Sequence, residues 1–248
     1  MLETADRSDV LVFLLRGKLG HFRQPDTTVT QATYPFPPRP TLHGLLGAVL
    51  GIDYNTPEWE RFLGREHYLG ISLLTPVRAV CMQMSLLGKG FVSNDTTGAF
   101  NRPTVVEMLV EPKYRVYYCG ESLAELRGRL ANRQSVFHTY LGSAYCLTFP
   151  EFEGIYSGIC LSPKRGEVIT LSSVVPREMV HQVRLEAGTS YAAARAMPYR
   201  HAGDRTFSGT ATVFYEMSGK PLKVEFNQES GLPYRVMELP TGEVVCLW

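Results

Sequence analysis

Long hydrophobic runs are missing from this 248-residue chain. No stretch approaches the roughly 18 apolar residues of a membrane span. The opening Met1-Leu2-Glu3-Thr4-Ala5-Asp6-Arg7-Ser8-Asp9 is acidic where an export signal is basic, and Val10 to Leu15 is too short for an export core. These features predict a cytoplasmic protein with no membrane partner. Net charge is almost absent as well: 25 Lys and Arg against 24 Asp and Glu leave +1. A histone-like binder is thereby excluded, and any anionic partner must be met by a local patch. Cysteine is sparse and odd in number. Cys81, Cys119, Cys146, Cys160 and Cys246 stand at wide spacings with neither a Cys-x-x-Cys pair nor a Cys/His cluster. That pattern argues against a zinc site and predicts free, buried thiols. A P-loop, a dinucleotide fingerprint, a Gly-x-Ser-x-Gly elbow and a His-Glu-x-x-His are all lacking, so no cofactor and no metal are expected. Internal repeats and low-complexity tracts are absent too.

What is present is an ordinary globular composition, 44% apolar and 20% charged, long enough for one elaborated domain or two small ones. The most informative stretch is Gly17 to Gly51. Arg16, Lys18, Arg23 and Arg39, with His21 and His43 interleaved and Asp26 opposing, give it a positive excess that the whole chain lacks. Tyr34-Pro35-Phe36-Pro37-Pro38-Arg39-Pro40 cannot be helix, because proline removes a backbone donor and drives the preceding residue to extended geometry. A stiff loop that presents side chains follows from this. Leu42, Leu45, Leu46, Val49 and Leu50 then recur at the spacing of one buried helical face. Gly44, Gly47 and Ala48 leave a thin second face, which a sheet or a phosphate chain is expected to approach.

The rest of the chain predicts a strand over Asp9–Leu15 and a short helix from Thr56 to Gly64, with Thr56 as cap and Pro57 in its first turn. One long or two consecutive strands follow over Tyr68–Leu87, then strands over Val105–Leu109 and Tyr114–Tyr118. Between them, residues 87–103 hold three glycines and no apolar periodicity, the mark of a functional insert. An amphipathic helix spans Glu121–Arg133, with Leu123, Leu126 and Leu130 inward and Arg127, Arg129 and Arg133 outward. This order suits a ferredoxin-like α+β sheet over residues 1–150. Residues 151–248 read as predominantly β, in short runs at Gly154–Leu161, Glu167–Val175, Tyr191–Pro198, Arg205–Met217, Leu222–Phe226, Tyr234–Leu239 and Glu243–Trp248. Cations on a proline-rich loop beside Phe22, Tyr34 and Phe36 are what single-stranded RNA recognition needs, since cations fix phosphates and aromatic faces stack bases.

The apolar strand, then Gly-x-x-Gly-His-Phe-Arg, then Tyr-Pro-Phe-Pro-Pro-Arg-Pro-Thr, then the Gly-Leu-Leu-Gly-Ala-Val-Leu-Gly helix resembles the N-terminal signature of the CRISPR-associated Cas-five family, part of the RAMP superfamily. Glu107-Met108-Leu109, Pro112-Lys113-Tyr114-Arg115-Val116-Tyr117 and Tyr140-Leu141-Gly142 continue it in order. The resemblance implies a ferredoxin-like (RRM-like) RNA-binding domain whose insert, about residues 87–103, is a thumb hairpin. It implies a structural subunit of a type I surveillance complex (Cascade) that caps the 5′ handle of the CRISPR guide RNA. Its further partners would be a backbone subunit of the Cas-seven type, the large subunit, and target DNA near the flanking motif. Expected RNA contacts are Arg16, Lys18, His21, Phe22, Arg23, Tyr34, Arg39 and His43 on the body, and Lys89, Phe91, Asn101 and Arg102 on the thumb. No catalytic residue is expected. The alternatives are a metal-independent endoribonuclease that cuts CRISPR precursor RNA, with His21, His43 or His138 beside Tyr34 or Lys18, and an RRM-like RNA-binding module unrelated to CRISPR.

Overall fold

The computed structural model describes residues 6–25, 30–54, 56–88, 100–202, 206–228 and 230–248. In chain order the first part forms β1 (Arg7–Arg16), β2 (Leu19–Gly20), β3 (Thr30–Gln31), α1 (Arg39–Leu50), α2 (Pro57–Leu63), β4 (His67–Leu73), β5 (Ala79–Gly88), β6 (Phe100–Val110), β7 (Lys113–Gly120), α3 (Leu123–Ala131), β8 (Thr139–Tyr140) and β9 (Leu147–Thr148). The second part adds β10 (Glu151–Leu161), β11 (Val168–Leu171), β12 (Val175–Pro176), a 3₁₀ turn (Arg177–Met179), β13 (Val180–Arg184), β14 (Tyr191–His201), β15 (Phe207–Glu216), β16 (Leu222–Phe226), β17 (Arg235–Glu238) and β18 (Val244–Leu247). The class is α+β, rich in strands and with few helices.

The central sheet runs β18-β17-β10-β1-β7-β4, antiparallel throughout. A nearly continuous apolar run makes β1 because both of its faces are covered. Val10 and Val12 pack with Tyr117, Cys119, Met237, Leu239, Val245 and Leu247, while Leu11, Phe13 and Leu15 join the larger core with α1, α2 and α3. The sheet curls until its edges meet: Leu69 of β4 and Trp248 exchange both backbone hydrogen bonds, at 3.2 and 3.0 Å. Gly70 makes that approach possible, since a Cβ there would lie 2.6 Å from Leu247 Cδ2 and 2.9 Å from the Cys246 carbonyl oxygen. A boundary near residue 150 therefore does not separate two sheets, because β10, β17 and β18 complete the one that β1 begins.

Helix α2 follows its sequence signals: the Thr56 side chain accepts from the Trp59 N–H, and Pro57 opens the first turn. Helix α1 differs from expectation on its thin face. Gly47 is approached by an indole, not by a sheet or a phosphate, its Cβ position lying 2.7 Å from Trp59, and nothing stands within 4 Å of Gly44. Gly51 ends the helix in the left-handed region at φ 86°. The run from Tyr68 resolves into β4 and β5, broken around Thr75-Pro76. Strand β6 starts at Phe100, inside the stretch expected to form the thumb insert, and pairs with β5 from Ala79↔Leu109 to Gly88↔Phe100. Strand β13 has no counterpart in the sequence reading. It closes the small sheet β11-β16-β13, and a second small sheet runs β12-β15-β14. The five thiols are free as expected, but Cys81 is exposed and Cys160 half-buried. Among the described residues no helix is long and apolar enough to cross a membrane, and no cluster of three potential metal ligands exists.

Candidate nucleic-acid interface

The proline-rich loop turns inward. The Tyr34 N–H donates to the Phe22 carbonyl (2.8 Å), and Phe22 N–H to Thr33 Oγ1 (2.9 Å), so the segment folds back on itself. Tyr34 is buried and its hydroxyl donates to the Ala196 carbonyl at 2.6 Å. Phe36 is buried edge-on against Tyr215, and Phe22 lies against Tyr114. None of the three rings offers a face for a base in this structure. Arg39 is likewise a clamp: its Nε donates to the Trp248 carbonyl (3.1 Å) and its Nη2 to the His67 carbonyl (2.9 Å), with the guanidinium over the Tyr199 ring. It ties α1 to the two strands whose ends close the central sheet.

The histidines of this segment are internal too. His21 Nδ1 lies 2.8 Å from the Glu107 carbonyl, its Nε2 is buried without a partner, and burial lowers its pKa. His43 sits among His67, His201 and Phe62, with both ring nitrogens unpartnered. Burial first, and then the charge of Arg39, hold its pKa well below the ordinary value. A neutral imidazole in an apolar cluster packs well, but it is not positioned to take a proton from a ligand outside.

Three of the expected cations, Arg16, Lys18 and Arg23, are exposed within eight residues of chain, a stretch termed the ledge below. Arg16 ends β1 and pairs with Glu151 at 2.6 Å, Lys18 pairs with Glu111 at 3.3 Å, and Arg23 is exposed on the next turn of chain. With side chains 61% and 92% exposed, the Arg16 and Lys18 pairs are each worth at most about 1 kcal/mol. Both cations are free to exchange a carboxylate for a phosphate.

Beside the ledge lies a feature the sequence reading missed. Strands β8 and β9 form a small hairpin docked on the ledge by His21 N–H to Leu141 carbonyl (3.0 Å) and Thr148 Oγ1–H to Arg16 carbonyl (2.7 Å). Gly142 in its turn has φ 82° and presses on the His21 carbonyl, so no other residue fits there. Around the hairpin Phe137, Tyr140, Tyr145 and Phe149 expose their rings, Tyr145 by 50%. The signal was available: four aromatics in 13 residues between a helix and a strand, with the periodicity of neither. Aromatic rings next to exposed cations are the combination that stacks bases while holding phosphates.

On the far side of the expected thumb, Lys89 and Phe91 lie outside the described residues, while Asn101 and Arg102 are placed by their backbone on β6 opposite Leu87 and Leu86. The root of this β5–β6 ribbon is anchored, because β2 and β3 pair with β6 along its other edge only as far as Val105. Beyond that point the ribbon has no further sheet neighbour among the described residues.

Residues 10–79 match the family model described as CRISPR-associated protein (Cas_Cas5). No curated protein matches the chain. A CRISPR protein from Archaeoglobus fulgidus is similar in structure, with a TM-score of 0.53 at 14% identity over 96% of this chain and 98% of that one. A chain of a CRISPR RNA-guided surveillance complex gives a TM-score of 0.51 at 14% identity over 86% and 90%. At that identity the two structures bear on the fold alone. The family match covers most of β1, the proline-rich loop and the glycine-containing helix, the same stretch whose residues build the ledge and the clamp, and over these residues the chain is similar to the CRISPR-associated Cas_Cas5 family.

Proposed function

We propose that this chain is a structural, RNA-binding subunit of a type I CRISPR surveillance complex, and that it caps the 5′ handle of the guide RNA. The observation that carries the reading is the ledge of Arg16, Lys18 and Arg23 beside the exposed rings of the β8–β9 hairpin. Phosphates lie along the cations and splayed handle bases stack on Tyr140, Tyr145 and Phe149. The supporting frame is ferredoxin-like: β1-α1-β4-β7-α3-β10 in chain order, with spatial order β10-β1-β7-β4. The β5–β6 ribbon is the thumb, which reaches a backbone subunit of the Cas-seven type. The large subunit and target DNA near the flanking motif complete the partners.

The chain holds the RNA without cutting it. In support, His21 and His43 are buried, and a general base must reach the 2′-hydroxyl proton. Labelled handle RNA titrated with the triple variant Arg16→Ala, Lys18→Ala, Arg23→Ala should bind at least tenfold more weakly, with a shallower salt dependence and an unchanged melting temperature. Equal affinity would remove the ledge from the interface. Incubation of precursor RNA with the protein and a chelator should leave the RNA intact, and specific cleavage abolished by His138→Ala would establish the ribonuclease reading instead.

A further inference from the structure

Strands β13 and β14 are consecutive, joined by residues 185–190, yet no ladder links them: each is the terminal strand of a different three-stranded sheet. A slot of about 710 Å³ lies between them, within the size range of ligand-binding clefts. Successive residues line it, Val180 to Val183 on one wall and Tyr191 to Ala193 on the other. Side chains alternate between the faces of a strand, so a wall built by every residue in turn is a backbone edge. Each edge bears a row of N–H and C=O groups with no strand partner among the described residues. The mouth is held by the Tyr191 hydroxyl, which accepts from the Glu186 N–H (3.3 Å) and donates to the Arg184 carbonyl (3.4 Å).

We propose that this slot receives an extended segment of a partner protein, added as a strand between β13 and β14 so that the two small sheets become one. Such strand addition draws its affinity from backbone hydrogen bonds and its selectivity from alternate side chains. Ala192 and Ala193 keep one wall low enough for a main chain to approach, and Phe214 offers an apolar surface to the alternate side chains. The charges oppose a nucleic acid. Arg177 stands beside Glu178 in the lining, Arg184 is paired with Glu225 and Glu186 with Lys223, so no cationic excess is left for phosphates. Leu185, 76% exposed at the mouth, favours a segment that is apolar there. The proposal stands apart from the RNA ledge and uses none of its residues.

The test is hydrogen–deuterium exchange on the full chain in three states: alone, with a 20-nucleotide single-stranded RNA, and in the assembly recovered from its host cells by an affinity tag. Amides of residues 180–184 and 191–195 should slow at least tenfold in the assembly and not with RNA alone. Ala193→Arg, which fills the slot, should lower the yield of that assembly at least tenfold without shifting the melting temperature. The exchange result on the unmodified chain stands even if the variant misfolds. Unchanged exchange at both strands, recovery of the chain with no protein partner, or protection by RNA alone each overturns the proposal, the last by making the slot a nucleic-acid groove. An assembly that holds guide RNA with an unprotected slot refutes the slot only, and a protected slot in an assembly devoid of RNA refutes the RNA-capping reading only.

Discussion

Arg39 heads α1 with no side-chain cap beside it, and its guanidinium spends its donors on the carbonyl oxygens of Trp248 and His67. Hydrogen bonds from a charged donor contribute roughly 1.5–3 kcal/mol each. Arg39→Ala should therefore cost about 3 kcal/mol or more, read as a lower urea midpoint at unchanged slope. Arg39→Lys, which keeps the charge but not the planar fork, should fall between. A wild-type midpoint for Arg39→Ala would show that the clamp carries no load, and a large loss of RNA affinity in well-folded Arg39→Lys would return the residue to the interface. The sequence announced a cation on a rigid loop. It did not announce the direction in which rigidity points that cation, because the surfaces that receive Tyr34, Phe36 and Arg39 are built by Ala196, Tyr215 and Trp248, more than 150 residues away.

Elements whose signals are local were legible. Thr56, Pro57 and Gly64 frame α2 within nine residues, and the cap and first turn form as those residue types dictate. Strands β8 and β9, two residues each, and the solvent-edged β13 carry too few alternations for a period of two to register. The β5–β6 ribbon lies between these cases: its strands were visible in part, its extent was not. A two-stranded ribbon is marginal in water, and past Val105 no third strand among the described residues supports this one. Replacing residues 85–103 by Asn-Gly, a turn suited to a tight hairpin, should leave soluble protein melting within a few degrees of the parent. That protein should fail to co-purify with guide RNA and neighbouring subunits. Aggregation would place the ribbon in the core, and full assembly would make it a passive excursion.

Across the whole molecule, the class α+β was readable, whereas the meeting of β4 with β18 was not, because it joins residues 69 and 248. Near that junction His43 lies against His67 and His201, while His21 is buried apart from them beside Glu107. His21, His43, His67 and His201 all have pKa values lowered chiefly by burial. Below about pH 6.5 the unfolded chain takes up protons at these rings that the folded chain refuses. Stability is then complete above that pH and declines as pH falls below it, by up to about 1.4 kcal/mol per pH unit for each ring. Glu216 acts only at lower pH. Burial raises its pKa, but the N–H groups of Ser190, Lys220 and Ser218 more than offset this, so its contribution is present above about pH 4.5 and lost below. The melting temperature should be level from pH 8 to 7 and drop steeply between 6.5 and 5, less steeply in His43→Leu. A flat profile over that interval would mean that the buried rings do not govern acid lability.

The central strand is made long before its neighbours. Arg16, at the end of β1, meets Glu151 across 135 residues of chain, and the first ladder on the other side begins at Lys113. At roughly 5–20 residues per second, the ribosome takes on the order of ten seconds to supply both. Through that interval a strand apolar on two faces has one nearby cover, the Leu42, Leu45, Leu46 and Val49 stripe of α1. The helix thus serves first as an escort for the nascent strand, and only later as a layer of the finished fold.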